Sequence, residues 1–272
     1  MFGQIDKHLW LNRSANKGPD FRLLTLAIRQ PIGTLSSGDK MCGYLEINGG
    51  RPSPVMQLPG FEEYLPFLPI NETKAYYPAF GSDPERTIDI VIKSSNGLQQ
   101  VPATWWFDCS EAGDSLAVGK RTTFNARNLS SPFWRHALTH RRGIVFATGL
   151  GESKLVGKTK HQYYMQSEEI FALGTLYRQF NNGHYSCAVI TRDAHPKMEP
   201  YHDKAFPCFL PMDAEFLDIW LDPNIETHPR IDSVLSHPML YPSLEVQRVK
   251  TYKGKVPMKS PAPTVLVSDL LA

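Results

Sequence analysis

The sequence predicts an α+β domain. Strand signals outnumber helix signals, the two do not alternate regularly, and 272 residues with 42% apolar and 11% aromatic content can bury a sizeable core. The first forty-one residues hold one helix-like stretch, Phe21–Gln30, and close in the turn-rich run Leu35-Ser36-Ser37-Gly38-Asp39. Residues 49–70 carry Pro52, Pro54, Pro59, Pro66 and Pro69 and read as loop around one short helical turn. Ile88–Ile92 alternates as a strand and runs into Asn96-Gly97, a hairpin signal. Gly143–Ala147 is a continuous apolar run that reads as a buried strand. Ile170–Leu176 and Cys187–Thr191 form a strand pair joined across Asn181-Asn182-Gly183. Pro132–His140 suits a helix, and so does Met212–Leu221, which begins near Asp213 and stops at Asp222-Pro223. Beyond Val256, three prolines predict a tail wrapped over the surface.

Composition excludes several classes. No apolar run approaches the roughly 20 residues needed to cross a bilayer, and the first twenty residues lack the apolar stretch of a secretory signal. Cys42, Cys109, Cys187 and Cys208 are widely spaced with no C-x-x-C pair, which argues against a disulfide framework or a zinc site and fits a reducing, cytoplasmic compartment. Residues 1–40 hold six Lys/Arg and three Asp; removing them from the totals of 29 and 27 leaves 23 basic and 24 acidic residues. The basic excess therefore belongs to the leader. Lys120 to Lys160 nevertheless holds nine Lys/Arg and one acid, Glu152, enough either for a phosphate-facing surface or for a set of solvated positive faces.

Four segments carry the chemistry: Met41-Cys42-Gly43; Phe124-Asn125-Ala126-Arg127; Ala147-Thr148-Gly149-Leu150-Gly151-Glu152; and Thr191-Arg192-Asp193-Ala194 followed by Pro200-Tyr201-His202-Asp203-Lys204. In this order the chain resembles the SOS-response-associated peptidase (SRAP) family, whose segments read M-C-G-R, N-A-R, A-D-G-F-Y-E-W and T-T-x-A … I-H-D-R-M-P. Thr104-Trp105-Trp106-Phe107 falls where the family has W-G-L, and Phe171–Leu176 looks like its F-A-x-A-G-L strand. The resemblance covers roughly residues 41–222.

The resemblance implies a single domain with a strongly twisted, mainly antiparallel sheet or open barrel flanked by a few helices. It divides the chain into a leader (1–41), the domain (42–235) and a C-terminal extension (236–272) that packs on the domain or is partly disordered. It implies a monomer that crosslinks to abasic sites in single-stranded DNA through an N-terminal cysteine and associates with the nucleoid on damage. No cofactor, metal or membrane is implied. An N-terminal Cys42 would carry an α-amine of pKa about 7.7–8.0 beside a thiol, so about a tenth or more of it is neutral at pH 7, against about 0.04% of a lysine. The amine condenses with an aldehyde and the thiol closes a five-membered ring.

By the same resemblance Asn125 orients the amine, Glu152 moves protons, His202 acts as acid and base with Thr191 in support, Arg127 and Lys204 hold phosphates, and Trp105 or Trp106 meets the bases. The residues also admit plainer readings: Asn125 as a turn cap, Arg127 paired with a core carboxylate, Glu152 as an exposed loop acid, His202 paired with Asp203, and the tryptophans as core. The sequence departs from the pattern at Tyr44 for arginine, Leu150-Gly151 for an aromatic pair, Ser153 for tryptophan and Lys204 for arginine. For the leader three readings stand: a propeptide removed by Cys42 itself, a start at Met41, or a retained leader that keeps the amine an unreactive amide. Two other functions stand beside the crosslink, a self-processing thiol peptidase and a retired DNA-binding module.

Overall fold

The structure, a computed structural model, describes residues 43–80 and 82–271. The helix expected over Phe21–Gln30, the rest of the leader, and Cys42 lie outside the described residues.

Two long strands organise the domain. β1 (Leu45–Asn48), β2 (Thr73–Tyr76), β3 (Thr87–Ser94) and β4 (Gly97–Thr104) come first, then a small separate hairpin of β5 (Cys109–Ala112) and β6 (Ser115–Val118). A two-residue strand β7 (Asn125–Ala126) and helix α1 (Pro132–His140) lead into β8 (Arg142–Val156) and β9 (Thr159–Gln179), an antiparallel pair of 15 and 21 residues. β10 (Tyr185–Arg192), the short β11 (Phe206–Pro207) and β12 (Phe209–Leu210), α2 (Ala214–Leu221), α3 (Pro229–Ser236), β13 (Leu244–Val249) and β14 (Thr264–Leu266) complete the order.

One half of the β8–β9 pair closes a ring. β9 pairs with β10, β10 with β4 in parallel, β4 with β3, and β3 returns to β8 through Val91 and Ile144. The other half opens into a wing, with β1 and β2 on the β8 flank and β13 and β14 on the β9 flank. A register jump separates the halves. Ala147 faces Phe171 but Gly149 faces Gln166, so Thr148 alone stands against residues 167–170. The displaced stretch is held by the loop after β1: Arg51 N donates to Glu168 O at 2.9 Å and Ile170 N to Arg51 O at 2.7 Å. Such an irregularity bends both strands and increases their twist.

Alternation in the ring strands separates two cores. Ile88, Ile90, Ile92, Val145, Ala147, Leu173, Cys187 and Val189 fill the interior with Trp105. Val91, Ile144, Phe146, Ala172, Leu176, Ala188 and Ile190 face outward and are covered by α1, α2 and α3 through Trp134, Trp220 and Ile231. Both faces are buried, which is why Gly143–Ala147 reads as unbroken apolar sequence. The tryptophans are therefore core residues, a correction to their expected base contacts. Trp105 is fully buried with Nε1 donating to Phe124 O at 2.9 Å, and Trp106 donates to Gly119 O at 3.1 Å while stacking on Phe124. The β3–β4 turn sits one residue before the expected Asn96-Gly97: Ser94 pairs with Gly97, and Gly97 takes the positive φ of 92°.

Capping chemistry sets the helices. Ser131 accepts from Phe133 N before Pro132, and Asp213 accepts from Phe216 N at 3.0 Å. Arg142 closes the far end of α1. Its buried guanidinium donates to the carbonyls of Leu138, Thr139, Trp220, Asp222 and Ile225 at 2.6–2.9 Å. Burial pushes its pKa down to about 10, with Asp222 opposing, so it remains charged at neutral pH. α2 packs close to β9 because Gly174 has no side chain: an added Cβ would lie 2.7 Å from Trp220 Cζ2. Gly174→Ala is expected to cost about 1–3 kcal/mol through overpacking, read as a lower urea midpoint at unchanged slope.

Candidate active site

The expected chemical residues fall on the wing side of the register jump and at the C-terminal end of β10. Glu152 lies on β8 opposite Tyr163 with a side chain 1% exposed. It is therefore not an exposed loop acid. His202 follows a coiled segment in which Met198 O accepts from both Tyr201 N and His202 N. Its Nδ1 lies 2.8 Å from Ser153 O and 3.4 Å from Glu152 Oε2. A carbonyl only accepts, so Nδ1 carries the proton and Nε2 is the basic nitrogen of the neutral ring. Nε2 is buried and meets no hydrogen-bond partner among the described residues. A proton taken there would place a positive ring beside the Glu152 carboxylate. The pair can thus accept a proton at Nε2 and return it.

Lys154, two residues after Glu152, fastens the His202 segment to β8. Its Nζ donates to Glu199 O at 2.6 Å and lies 3.6 Å from Asp203. Asp203 accordingly pairs with Lys154, and the partner of His202 is Glu152. Tyr201 packs edge-on against Tyr163 at 5.1 Å on the same segment.

Asn125 and Thr191 sit on neighbouring strands, since β7 runs parallel to β10 with Asn125 beside Val189. Thr191 is fully buried opposite Pro207, and its hydroxyl meets no hydrogen-bond partner among the described residues. Arg127 and Asp193, each two residues further on, approach to 3.4 Å, so the arginine pairs with an exposed surface acid and not with a core one. Lys204 is exposed two residues after His202. Cys42 lies outside the described residues, but the chain that leads from it is described: Gly151 N donates to Tyr44 O at 3.0 Å, immediately before Glu152.

The unusual residues form one aromatic cluster. Tyr44 is buried, donates to Glu46 Oε2 at 2.7 Å, and contacts the rings of Tyr77, Tyr164 and Tyr252. Burial and the adjacent Glu46 carboxylate hold its phenol far above the usual range, so it stays a donor. Glu46, itself buried, also pairs with Lys255. An added Cβ on Gly151 would lie 2.8 Å from Tyr252 Cδ1 and 3.0 Å from Tyr44 Cβ. A ring from position 252 therefore covers the backbone where the sequence lacks its expected aromatic pair. Tyr252, Lys255, Glu46 and Lys154 were missed by sequence reasoning. The one available signal was Gly151, since a glycine inside a strand marks a close approach.

The described cysteines offer no nucleophile. Cys109, Cys187 and Cys208 are buried, and burial raises their thiols, Cys109 to about 11 and Cys208 to about 12. Among the described residues no group of three His, Cys, Asp or Glu could hold a metal, and no helix is long and apolar enough to cross a membrane.

Residues 41–256 match the family described as SOS response associated peptidase (SRAP). No curated protein matches the chain. Solved structures share the fold. A Bacteroides thetaiotaomicron protein is 22% identical with a TM-score of 0.51, the alignment covering 77% of this chain and 93% of that one. A Bordetella bronchiseptica protein is 14% identical with a TM-score of 0.51, covering 77% and 100%. A phage-related protein from Bordetella bronchiseptica is 17% identical, also at 0.51, covering 80% and 100%.

Lys154→Met should loosen the His202 segment. Loss of the two Lys154 contacts is expected to speed amide exchange of Tyr201 and His202 by about tenfold, read by hydrogen exchange, with the β8–β9 core unchanged.

Proposed function

Because the chain belongs to the SOS response associated peptidase (SRAP) family, which ties it to the DNA-damage response, we propose that it captures abasic sites in single-stranded DNA covalently through Cys42. The observation that carries this reading is the His202 ring: Nδ1 is fixed by Ser153 O beside Glu152, and Nε2 is left as a buried base. The described backbone supports it further: Tyr44, two residues after Cys42 in the sequence, accepts at its carbonyl from Gly151 N, immediately before Glu152.

Hydrolysis of the Met41–Cys42 peptide frees the α-amine, either by attack of the Cys42 thiol on the Met41 carbonyl and hydrolysis of the thioester, or by removal of a starting methionine. Glu152 moves the proton that opens the abasic sugar to its aldehyde. The amine adds to C1′, and His202 Nε2 takes the two amine protons in turn and passes them to the former carbonyl oxygen, which leaves as water and gives the neutral C=N bond. The Cys42 sulfur then attacks the C=N carbon, the nitrogen takes the proton of the thiol, and a thiazolidine ring closes. Asn125 orients the amine, Thr191 supports His202, and Arg127 and Lys204 hold the flanking phosphates.

The test is retention of the protein on abasic single-stranded DNA under denaturing conditions. Cys42→Ala should abolish the adduct and His202→Ala should slow it roughly 100-fold or more. An equally stable adduct from Cys42→Ser would rule out the thiazolidine. One observation favours a second reading, non-covalent strand binding: the residues beside Glu152 depart from the family pattern, with Leu150-Gly151 before it and Ser153 after it. That reading expects salt-dependent binding that survives Cys42→Ala, with no covalent product from either protein.

A further inference from the structure

The basic run from Lys120 to Lys160 divides between two ends of the domain. Lys154 belongs to the candidate site, whereas Arg141 lines a different concavity and Arg121 lies over the ring of Phe133, one of its walls. This second cavity, of about 260 Å³, is lined by Phe107, Phe133, His136, Arg141, Tyr177 and Arg178. It lies at the opposite end of β10 from Thr191. Arg178 faces Ser186, five residues before Thr191, which is about 16 Å along a strand.

Its guanidinium groups rest on aromatic rings. Arg141 lies 5.8 Å over Tyr177, Arg178 5.9 Å over Phe107 and 4.8 Å over Phe180, and at the rim Arg121 lies 4.7 Å over Phe133. A ring satisfies the face of a guanidinium and leaves its N–H edge available for in-plane bonds. Arg178 uses one such donor on Cys109 O at 2.9 Å and Arg141 one on the Tyr177 hydroxyl, and each guanidinium has further donors beyond these. Arginine–carboxylate pairs among the described residues involve Arg86, Arg121, Arg127 and Arg230, not Arg141 or Arg178. No carboxylate lines the cavity. The carbonyls ending α1, which would repel an anion, are partly occupied by Arg142.

We propose that this cavity is a second phosphate site, taking the phosphate of a nucleotide between the guanidinium edges of Arg141 and Arg178, with His136 at its margin. Carbon-rich walls and a cationic rim suit a nucleotide better than a bare ion. The nucleotide is either free or part of a single strand. The site is independent of the crosslinking chemistry, since none of its residues belongs to the Glu152–His202 region.

Isothermal titration of the full chain with AMP, and separately with an undamaged oligothymidylate, tests this at low and high salt. Against wild type, R141A/R178A is expected to lose affinity on the order of tenfold or more for at least one ligand. Loss of AMP binding identifies the free nucleotide. Loss confined to the oligonucleotide, with a shallower salt dependence, identifies the strand. R141K/R178K keeps the charge and the ring contacts and replaces the alanine variant should that one fail to melt like wild type; its expected affinity is also reduced. Affinities for both ligands within about twofold of wild type in a folded variant would overturn the proposal, as would the absence of AMP binding together with unaltered oligonucleotide binding.

Discussion

The register jump in the β8–β9 pair is the constraint on which the rest of the structure depends. Thr148 stands against four residues of β9, and the backbone groups this frees are bonded by the loop at Arg51. Without the jump, two strands of 15 and 21 residues would twist uniformly. With it, one half closes a ring around Trp105 and the other opens into a wing flanked by β1 and β13. Glu152 occupies the wing just beyond the bend. From there its carboxylate reaches the His202 segment, which returns from the end of β10. A change that straightened the pair would separate Glu152 from His202 without touching either.

Much of this architecture was legible locally. Ser131-Pro132 and Asp213 announce α1 and α2 because a capping oxygen and a fixed proline φ act within one turn. Asn181-Asn182-Gly183 announces the β9–β10 connection for the same reason. α3 was not legible: its cap is His228, through a ring nitrogen accepting from Arg230 N at 3.2 Å, and it buries only Ile231 and Val234. β1 and β2 are four residues each, and β2 exposes three of its four. Closure of the ring rests on the parallel contact of β10 with β4, a pairing of distant segments that no local pattern specifies.

The candidate site was legible in its residue types and less so in its contacts. Glu152 and His202 could be singled out from sequence, but not that Asp203 would be drawn off by Lys154, leaving Glu152 as the partner of the imidazole. The tryptophan pair, suited to stacking on bases, instead fills the ring interior. The altered residues around Gly151 looked like losses. In the folded chain they are mutually adjusted: Gly151 admits Tyr252, Tyr252 stacks on Tyr44, and Tyr44 with Lys255 satisfies the buried Glu46. Each would be costly alone, since a buried carboxylate without donors is strongly destabilising. Together they form a packed wall behind the Glu152 strand.

The proposed capture rests on a free Cys42 amine and its own thiol, with His202 and Glu152 as proton carriers. The most direct measurement is mass spectrometry of the digested adduct formed with abasic single-stranded DNA in the absence of any reductant. Thiazolidine capture would leave the sugar remnant on a peptide that begins at Cys42, with the mass of the closed ring and no free thiol. A remnant on a lysine, or an unmodified peptide that runs through Met41 into Cys42, would contradict it.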